Sequence, residues 1–217
     1  MTHRNSERTA RRNQILEAAA KLFASKGYHG ATLGEVAEQL GVTKPLLYHY
    51  FNSKEQLLKE ICIKMQEEMN NNVRELVLSD MSPSDKLRTF IKAQLIFVST
   101  NKDISKVVFD EAEALGKTAY KRIYHQSKLG EKFVQDLIEE GVENGCFAID
   151  DVKMASFLIL SACHWVYKWY RPDGRLTPGE IADRYVNILE NGYLKQPAKA
   201  SGSQVISEVL MTDAARL

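Results

Sequence analysis

Apolar residues recur at helical spacing along almost the whole chain, and no stretch alternates as a strand would. Ile15, Ala19, Leu22 and Phe23 follow the i, i+4, i+7, i+8 rule and predict a first helix over about residues 6–25. Gly27 stands in the C-cap position that ends it. Residues 32–54, TLGEVAEQLGVTKPLLYHYFNSK, predict two short helices around a tight turn. Thr32 caps the first, with Glu35 completing a capping box, and Val36, Ala37 and Leu40 give it one apolar face. Gly41 supplies the backbone freedom of the turn. Thr43 caps the second helix, and Pro45 lies in its first turn, where a missing N–H costs little. That helix shows Lys44, Tyr48 and His49 to one side and Leu47 and Phe51 to the other.

Ser53, with Gln56 three residues on, opens a long helix reaching about residue 78. Its stripe is Leu57, Leu58, Ile61, Met65, Met69, Leu76 and Val77. Ser82-Pro83-Ser84-Asp85 and Thr177-Pro178-Gly179-Glu180 are further start signals. Helices are expected over 84–100, 103–113, 116–143, 151–171 and 178–194, with breaks near 144–150 and at Pro172-Asp173-Gly174. The pattern predicts an all-α chain. A three-helix helix-turn-helix domain over 1–53 is joined by a long helix to a helical bundle over 54–195. A weakly ordered tail is expected over 196–217, where the pattern decays into PAKASGSQ.

Composition narrows the classes. With 44% hydrophobic and 26% charged residues the chain is ordinary for a globular protein. No apolar run approaches the ~18 residues of a membrane span. The start, MTHRNSERTARR, reads as no signal peptide, so a cytoplasmic setting is expected. Cys62, Cys146 and Cys163 lack metal-ligand spacing and read as idle thiols. Residues 1–60 hold nine Lys/Arg against six acids, a balance of +3, which leaves −2 for the remainder of a chain whose net charge is +1. A basic N-terminal module on an acidic body suits DNA binding by one end. Catalysis is not expected: G-x-S-x-G, P-loop and H-E-x-x-H patterns are absent. Asp110, Glu111, Glu113, His125 and His164 match no ligand spacing, so neither a metal nor a cofactor is expected.

The exposed face of the second short helix carries the chemistry of a major-groove reader. A Tyr48 ring there reaches a thymine methyl or a sugar while its hydroxyl reaches a phosphate. Lys44 donates to guanine or to phosphate, and His49 and Lys54 suit backbone oxygens. Thr32, at a helix start, suits phosphate. Tyr50 and Phe51 are candidates for core, and Arg4, Arg8, Arg11 and Arg12 form either a DNA-seeking arm or a solvated tail.

From about Gln14 to Lys59 the chain resembles the N-terminal domain of TetR-family transcriptional regulators. The lead-in ILEAAAKLFASKGYHGAT and the exit LLYHYFNSKEQL carry the likeness. It implies DNA contacts at Thr32, Thr43, Lys44, Pro45, Tyr48, His49 and Lys54. Leu46 stands where the family often has a smaller residue. A single head touches few phosphates, and a two-fold dimer places two heads about 34 Å apart. Apolar faces for such a dimer are Ala155, Leu158, Ile159 and Ala162 on one helix and Ile181, Tyr185, Ile188 and Leu189 on the last. The resemblance implies that these two helices pair with their mates as a four-helix bundle.

About 140 residues of helix beyond the head exceed what dimerisation needs, and helical bundles hold apolar cavities. Phe90, Phe97, Phe109, Tyr120, Tyr124, Phe133, Trp165 and Trp169 are candidate lining or core. Trp165 and Trp169 lie i, i+4 on one helix, with Lys168, Arg171 and Arg175 around that end. Aromatics beside cations suit an amphiphile with an anionic head. The pattern Trp165-Val166-Tyr167-Lys168-Trp169-Tyr170-Arg171-Pro172-Asp173-Gly174 resembles TetR-family members that respond to acyl-coenzyme A thioesters. It serves equally as a structural turn at the dimer interface. The expectation is a repressor that binds a palindromic operator and is released by a hydrophobic effector. Phe97, Phe109, Tyr120, Tyr124, Trp165, Trp169 and Arg171 are its candidate ligand residues, and the long helix is its lever. The alternatives are an efflux repressor sensing greasy or cationic drugs near Glu111 and Glu113, an activator, or a ligand-free regulator.

Overall fold

The computed structural model describes residues 3–191; the side chains of 3–5, 118–119 and 122–127 fall outside the description. The described residues form helices and no strand: α1 His3–Lys26, α2 Leu33–Gln39, α3 Lys44–Tyr50, α4 Lys54–Val77, α5 Pro83–Thr100, α6 Lys102–Glu111, a 3-10 turn Ala112–Leu115, α7 Gly116–Glu143, α8 Val152–Trp169 and α9 Pro178–Asn191. The tail expected over 196–217 lies outside the described residues. The described residues up to Val186 form one compact unit, and the described residues after it belong to a second. In the second, the described part is the last turn of α9, where Asn191 Nδ2 donates to the Asn187 carbonyl at 3.0 Å.

Side-chain caps set the helix starts. Thr32 and Glu35 close a reciprocal box at α2, Thr43 Oγ1 accepts from the Leu46 N–H at α3, and Ser82 and Asp151 cap α5 and α8. At α4, Ser53 Oγ accepts the Gln56 N–H, while Gln56 Oε1 takes the N–H of Asn52 rather than of Ser53. Gly41, at φ +64°, makes the left-handed step between α2 and α3 that a side chain would strain. α8 stops at Trp169, two residues short of expectation: Tyr170 takes the extended conformation (ψ 136°), and Pro172, which lacks an N–H, cannot continue a helix.

The head core is built from Phe23 of α1, Val36 and Ala37 of α2, Leu47 of α3, and Phe51, Leu57 and Leu58, all buried. Val107, Ala112 and Leu115, far later in the chain, belong to the same cluster. The first helix therefore packs against α6, and the head is continuous with the bundle. In the bundle, α4 packs on α7, α5 on α8 and α7 on α8. Along α4 the buried stripe runs through Val73 and Leu76, and Val77 is exposed. Val77 is one residue past Leu76, about 100° round the helix.

Candidate nucleic-acid interface and effector cavity

Leu47 and Phe51, both fully buried, anchor α3 to the head. With that face fixed, helical periodicity turns Thr43, Lys44, Pro45, Leu46, Tyr48 and His49 outward, and all six are exposed. Tyr48 is 50% exposed. Lys44 lies back over Gly34 of α2, its Cε 2.9 Å from where a Cβ would stand. The seven predicted DNA residues thus divide, with Thr43, Lys44, Pro45, Tyr48 and His49 sharing the free face of α3.

Thr32 and Lys54 are engaged within the protein. The Thr32 hydroxyl and N–H both donate to Glu35 Oε2 at 2.9 Å. The Lys26 ammonium first, then these Thr32 bonds, hold the Glu35 carboxyl down at about 2. The Thr32 hydroxyl and N–H, which were expected to face phosphate, are thus engaged by a carboxylate of the same helix. Lys54 Nζ donates to the carbonyls of Tyr28 (2.7 Å), His29 (3.2 Å) and Ala31 (2.9 Å) and lies 4.5 Å from the Tyr28 ring centre. It ties the start of α4 to the connector between α1 and α2. Arg12 has a similar duty: it donates to the Tyr50 carbonyl, pairs with Glu60 and stacks over Phe51 at 4.4 Å. It is part of the fold rather than of an arm or a solvated tail.

A cavity of about 370 Å³ lies in the bundle. Met65, Met69, Asn70 and Val73 of α4 line it, with Phe90 and Gln94 of α5. Val108, Phe109, Asp110, Ala112 and Glu113 come from α6 and its 3-10 extension, Tyr120 and Glu131 from α7, and Phe157, Leu160, Ser161 and His164 from α8. Of the predicted ligand residues, Phe109 and Tyr120 are in this lining, and Tyr124 lies outside the described side chains. Phe97, Trp165, Trp169 and Arg171 are not among the described lining. Trp165 is 60% exposed on the outer side of α8, and Trp169 stacks on Tyr185 of α9 with ring centres 6.4 Å apart.

Two polar wall residues, Gln94 and His164, had no place among the predicted ligand groups. The signal for Gln94 is a glutamine in the buried α5 stripe of Phe90, Ile91, Leu95 and Val98. Its Oε1 is sealed from solvent and has no hydrogen-bond partner, and the same is true of His164 Nε2. The His164 ring lies 4.8 Å from Phe109, and burial pushes its pKa down to about 4. Beside it, Asp110 Oδ1 accepts from the Tyr167 hydroxyl (2.7 Å) and from Lys168 (2.9 Å) of α8. Burial opposes ionisation of Asp110, but Lys168, Tyr167 and Lys106 outweigh it and hold the carboxyl below the usual range. The adjacent Glu111 reaches the other way, accepting the backbone N–H of Tyr28 at 3.3 Å.

Cys62 and Cys163 are buried free thiols, each pushed up to about 12 by burial, and Cys146 is exposed. Among the described residues no group of three His, Cys, Asp or Glu is placed to hold a metal ion. None of the described helices is long and apolar enough to cross a membrane.

Residues 15–61 match the family model of bacterial regulatory proteins, tetR family, and residues 80–193 match that of the tetracyclin repressor-like C-terminal domain. The HTH-type transcriptional repressor KstR2 of Rhodococcus jostii is 30% identical over 192 residues, covering 86% of this chain and 93% of that protein. The solved structure of the ketosteroid transcriptional regulator KstR2 of Mycobacterium tuberculosis superposes with a TM-score of 0.79 at 28% identity, over 86% of this chain and 96% of that one. AibR, solved in complex with isovaleryl coenzyme A and operator DNA, superposes with a TM-score of 0.75 at 29% identity, over 84% of this chain and 100% of that one. Helix-turn-helix head, helical bundle and relatives agree: the chain belongs to the TetR family and is a transcriptional regulator, not an enzyme.

Proposed function

We propose that this chain is a repressor that binds a palindromic operator as a homodimer and leaves it when an acyl-coenzyme A thioester places its acyl part in the bundle cavity. Tyr48 and Lys44 read bases in the major groove, and Thr43, Pro45 and His49 position α3 on the backbone. Lys54 and Thr32 act indirectly, by fixing where α4 and α2 begin.

The observation that carries the reading is the double duty of α6. Val108, Phe109 and Asp110 line the cavity, while Val107 is buried in the head core and Glu111 holds the Tyr28 N–H. An occupant that displaces α6 acts directly on the head, so ligand and operator favour different placements of one helix. Linkage then requires each to weaken the other by the same factor. The sequence suggested α4 as the lever; α6 is the shorter route. The repressor sense and the thioester class are supported by the likeness to KstR2, a repressor, and to AibR, whose crystals hold isovaleryl coenzyme A and operator DNA.

The dimer uses the outer stripe of α8. Met154, Leu158, Trp165 and Trp169 are exposed at positions that fall on one side of the helix. Ile159 and Ile181, expected at the interface, are buried inside the protomer. Trp165 and Trp169 belong to this surface in the proposal, which moves their aromatic pattern from ligand binding to assembly.

Fluorescence anisotropy of labelled DNA from the protein's own promoter tests the reading, with protein titrated at fixed salt and a chain-length series of acyl-coenzyme A thioesters then added. Release by a subset of chain lengths is the expected result. Tight binding that no thioester disturbs would remove the thioester and leave the DNA reading standing.

A further inference from the structure

The cavity wall mixes apolar side chains with polar ones, among them Gln66, Asn70, Gln94, Ser161 and His164, and two of its polar atoms are sealed from solvent without a partner. Gln94 is 2% exposed with its Oε1 unpaired, and His164 Nε2 is likewise sealed and unpaired. Both belong to the lining. A buried polar atom without a partner costs enough that native proteins nearly always satisfy it. At the wall of a ligand cavity, the occupant is the natural source of the missing partner.

The charges of the wall say what the occupant is not. Among the described lining residues there are three carboxylates, Asp110, Glu113 and Glu131, and no lysine or arginine. His164 does not supply a cation at neutral pH, because burial holds it neutral down to about 4. Among the described lining residues, an anionic group would meet carboxylates and no unpaired cation. Two of the three carboxylates have partners within the protein. Asp110 already has Lys168, Lys106 and the Tyr167 hydroxyl, and Glu131 accepts the Gln135 amide at 3.2 Å.

We infer that the buried part of the effector is an uncharged apolar body bearing one group that both donates and accepts, a hydroxyl or a secondary amide, held between Gln94 and His164. The group donates to Gln94 Oε1 and accepts from His164 Nε2, which assigns the proton of the neutral imidazole to Nε2. A free carboxylate is excluded, and the phosphates of any coenzyme A thioester remain outside the cavity. The inference rests on the effector reading above, since it assigns the polar chemistry of the same cavity.

Calorimetry with five probes of equal chain length tests it: decanol, N-methyldecanamide, decyl methyl ether, decanoate and decylammonium. Decanol or the amide should bind roughly tenfold tighter than the ether, which cannot donate, since leaving a buried acceptor unpaired costs about that factor. Decanoate should be the weakest. Gln94→Leu should erase the advantage of the donors over the ether while keeping ether binding, and His164→Phe should reduce it. If Gln94→Leu does not fold, the wild-type ratios and His164→Phe carry the test alone. Equal binding of ether and alcohol, tighter binding of decanoate, or an advantage that survives Gln94→Leu would each overturn the inference. Tightest binding by decylammonium would overturn it in favour of a cation sensor. Binding of no probe would overturn it too. Release of promoter DNA by acyl-coenzyme A in that last case would show that the effector reading survives its failure.

Discussion

The reader head and the effector cavity are built from the same helices' worth of chemistry, but their information is distributed differently. In the head, the devices that shape α2 and α3 are local: Thr32 with Glu35, Thr43 with the Leu46 N–H, and Leu47 beside Tyr48. A cap three residues from its partner and a buried residue next to an exposed one can be read from spacing. The cavity draws on five helices between Met65 and His164, and no two neighbours in sequence define it. Local patterns therefore specify the face proposed to meet DNA, while the tertiary packing specifies the cavity proposed to hold an effector.

Substitutions on the two sides should separate these roles. Tyr48→Ala is expected to have the largest effect, a loss of roughly tenfold to a hundredfold in operator affinity, from about 1–3 kcal/mol of lost contact. Thermal stability and effector binding should stay near wild type, because Tyr48 is half out in solvent. Anisotropy and calorimetry on the same preparation check both halves.

Lys54→Met should act on the fold instead. Removing the ammonium leaves the carbonyls of Tyr28, His29 and Ala31 without their shared donor. Partial exposure lets water replace some of these bonds, so a loss of about 1–2 kcal/mol is expected in a urea melt. If Lys54 instead served as a phosphate contact, stability would hold and the salt slope of DNA binding would fall.

A smaller effect concerns pH. His164 has a pKa of about 4 in the folded protein against 6.5 ordinarily. Below 6.5 the unfolded chain takes up the proton and the folded chain does not, so stability falls as pH drops from about 7 to about 5. His164→Phe should flatten that slope in urea melts at the two pH values. An unchanged slope would mean that the imidazole is solvated in the folded state.

Much of the fold was legible in the sequence for a physical reason. The caps Ser53, Ser82 and Thr177 and the breaks at Gly27 and Gly41 act within a few residues, so the helix limits follow from them. What spacing does not reveal is which neighbour a side chain faces. Lys54 and Arg12 look like phosphate seekers because a lysine or arginine near a helix-turn-helix usually is one; here both turn inward to carbonyls more than 20 residues away. Trp165 and Trp169 look like pocket walls from their i, i+4 spacing, yet the face of α8 turned to the cavity carries Phe157, Leu160 and His164. Gln94 was visible as a polar residue on an apolar stripe, but its meaning depends on the cavity beside it.

In the proposed mechanism, α6 carries the state of the cavity to the head through Glu111 and Val107. The most direct measurement is effector affinity for the free protein and for the operator-bound protein, in wild type and in Glu111→Ala. In wild type the effector should bind the operator complex more weakly, by the same factor by which it weakens operator binding. In Glu111→Ala that factor should shrink by about threefold to thirtyfold, the usual range for a residue on a coupling route, with each ligand still binding alone. A coupling factor equal to wild type in Glu111→Ala, with the protein folded, would contradict the role assigned to the Glu111 contact.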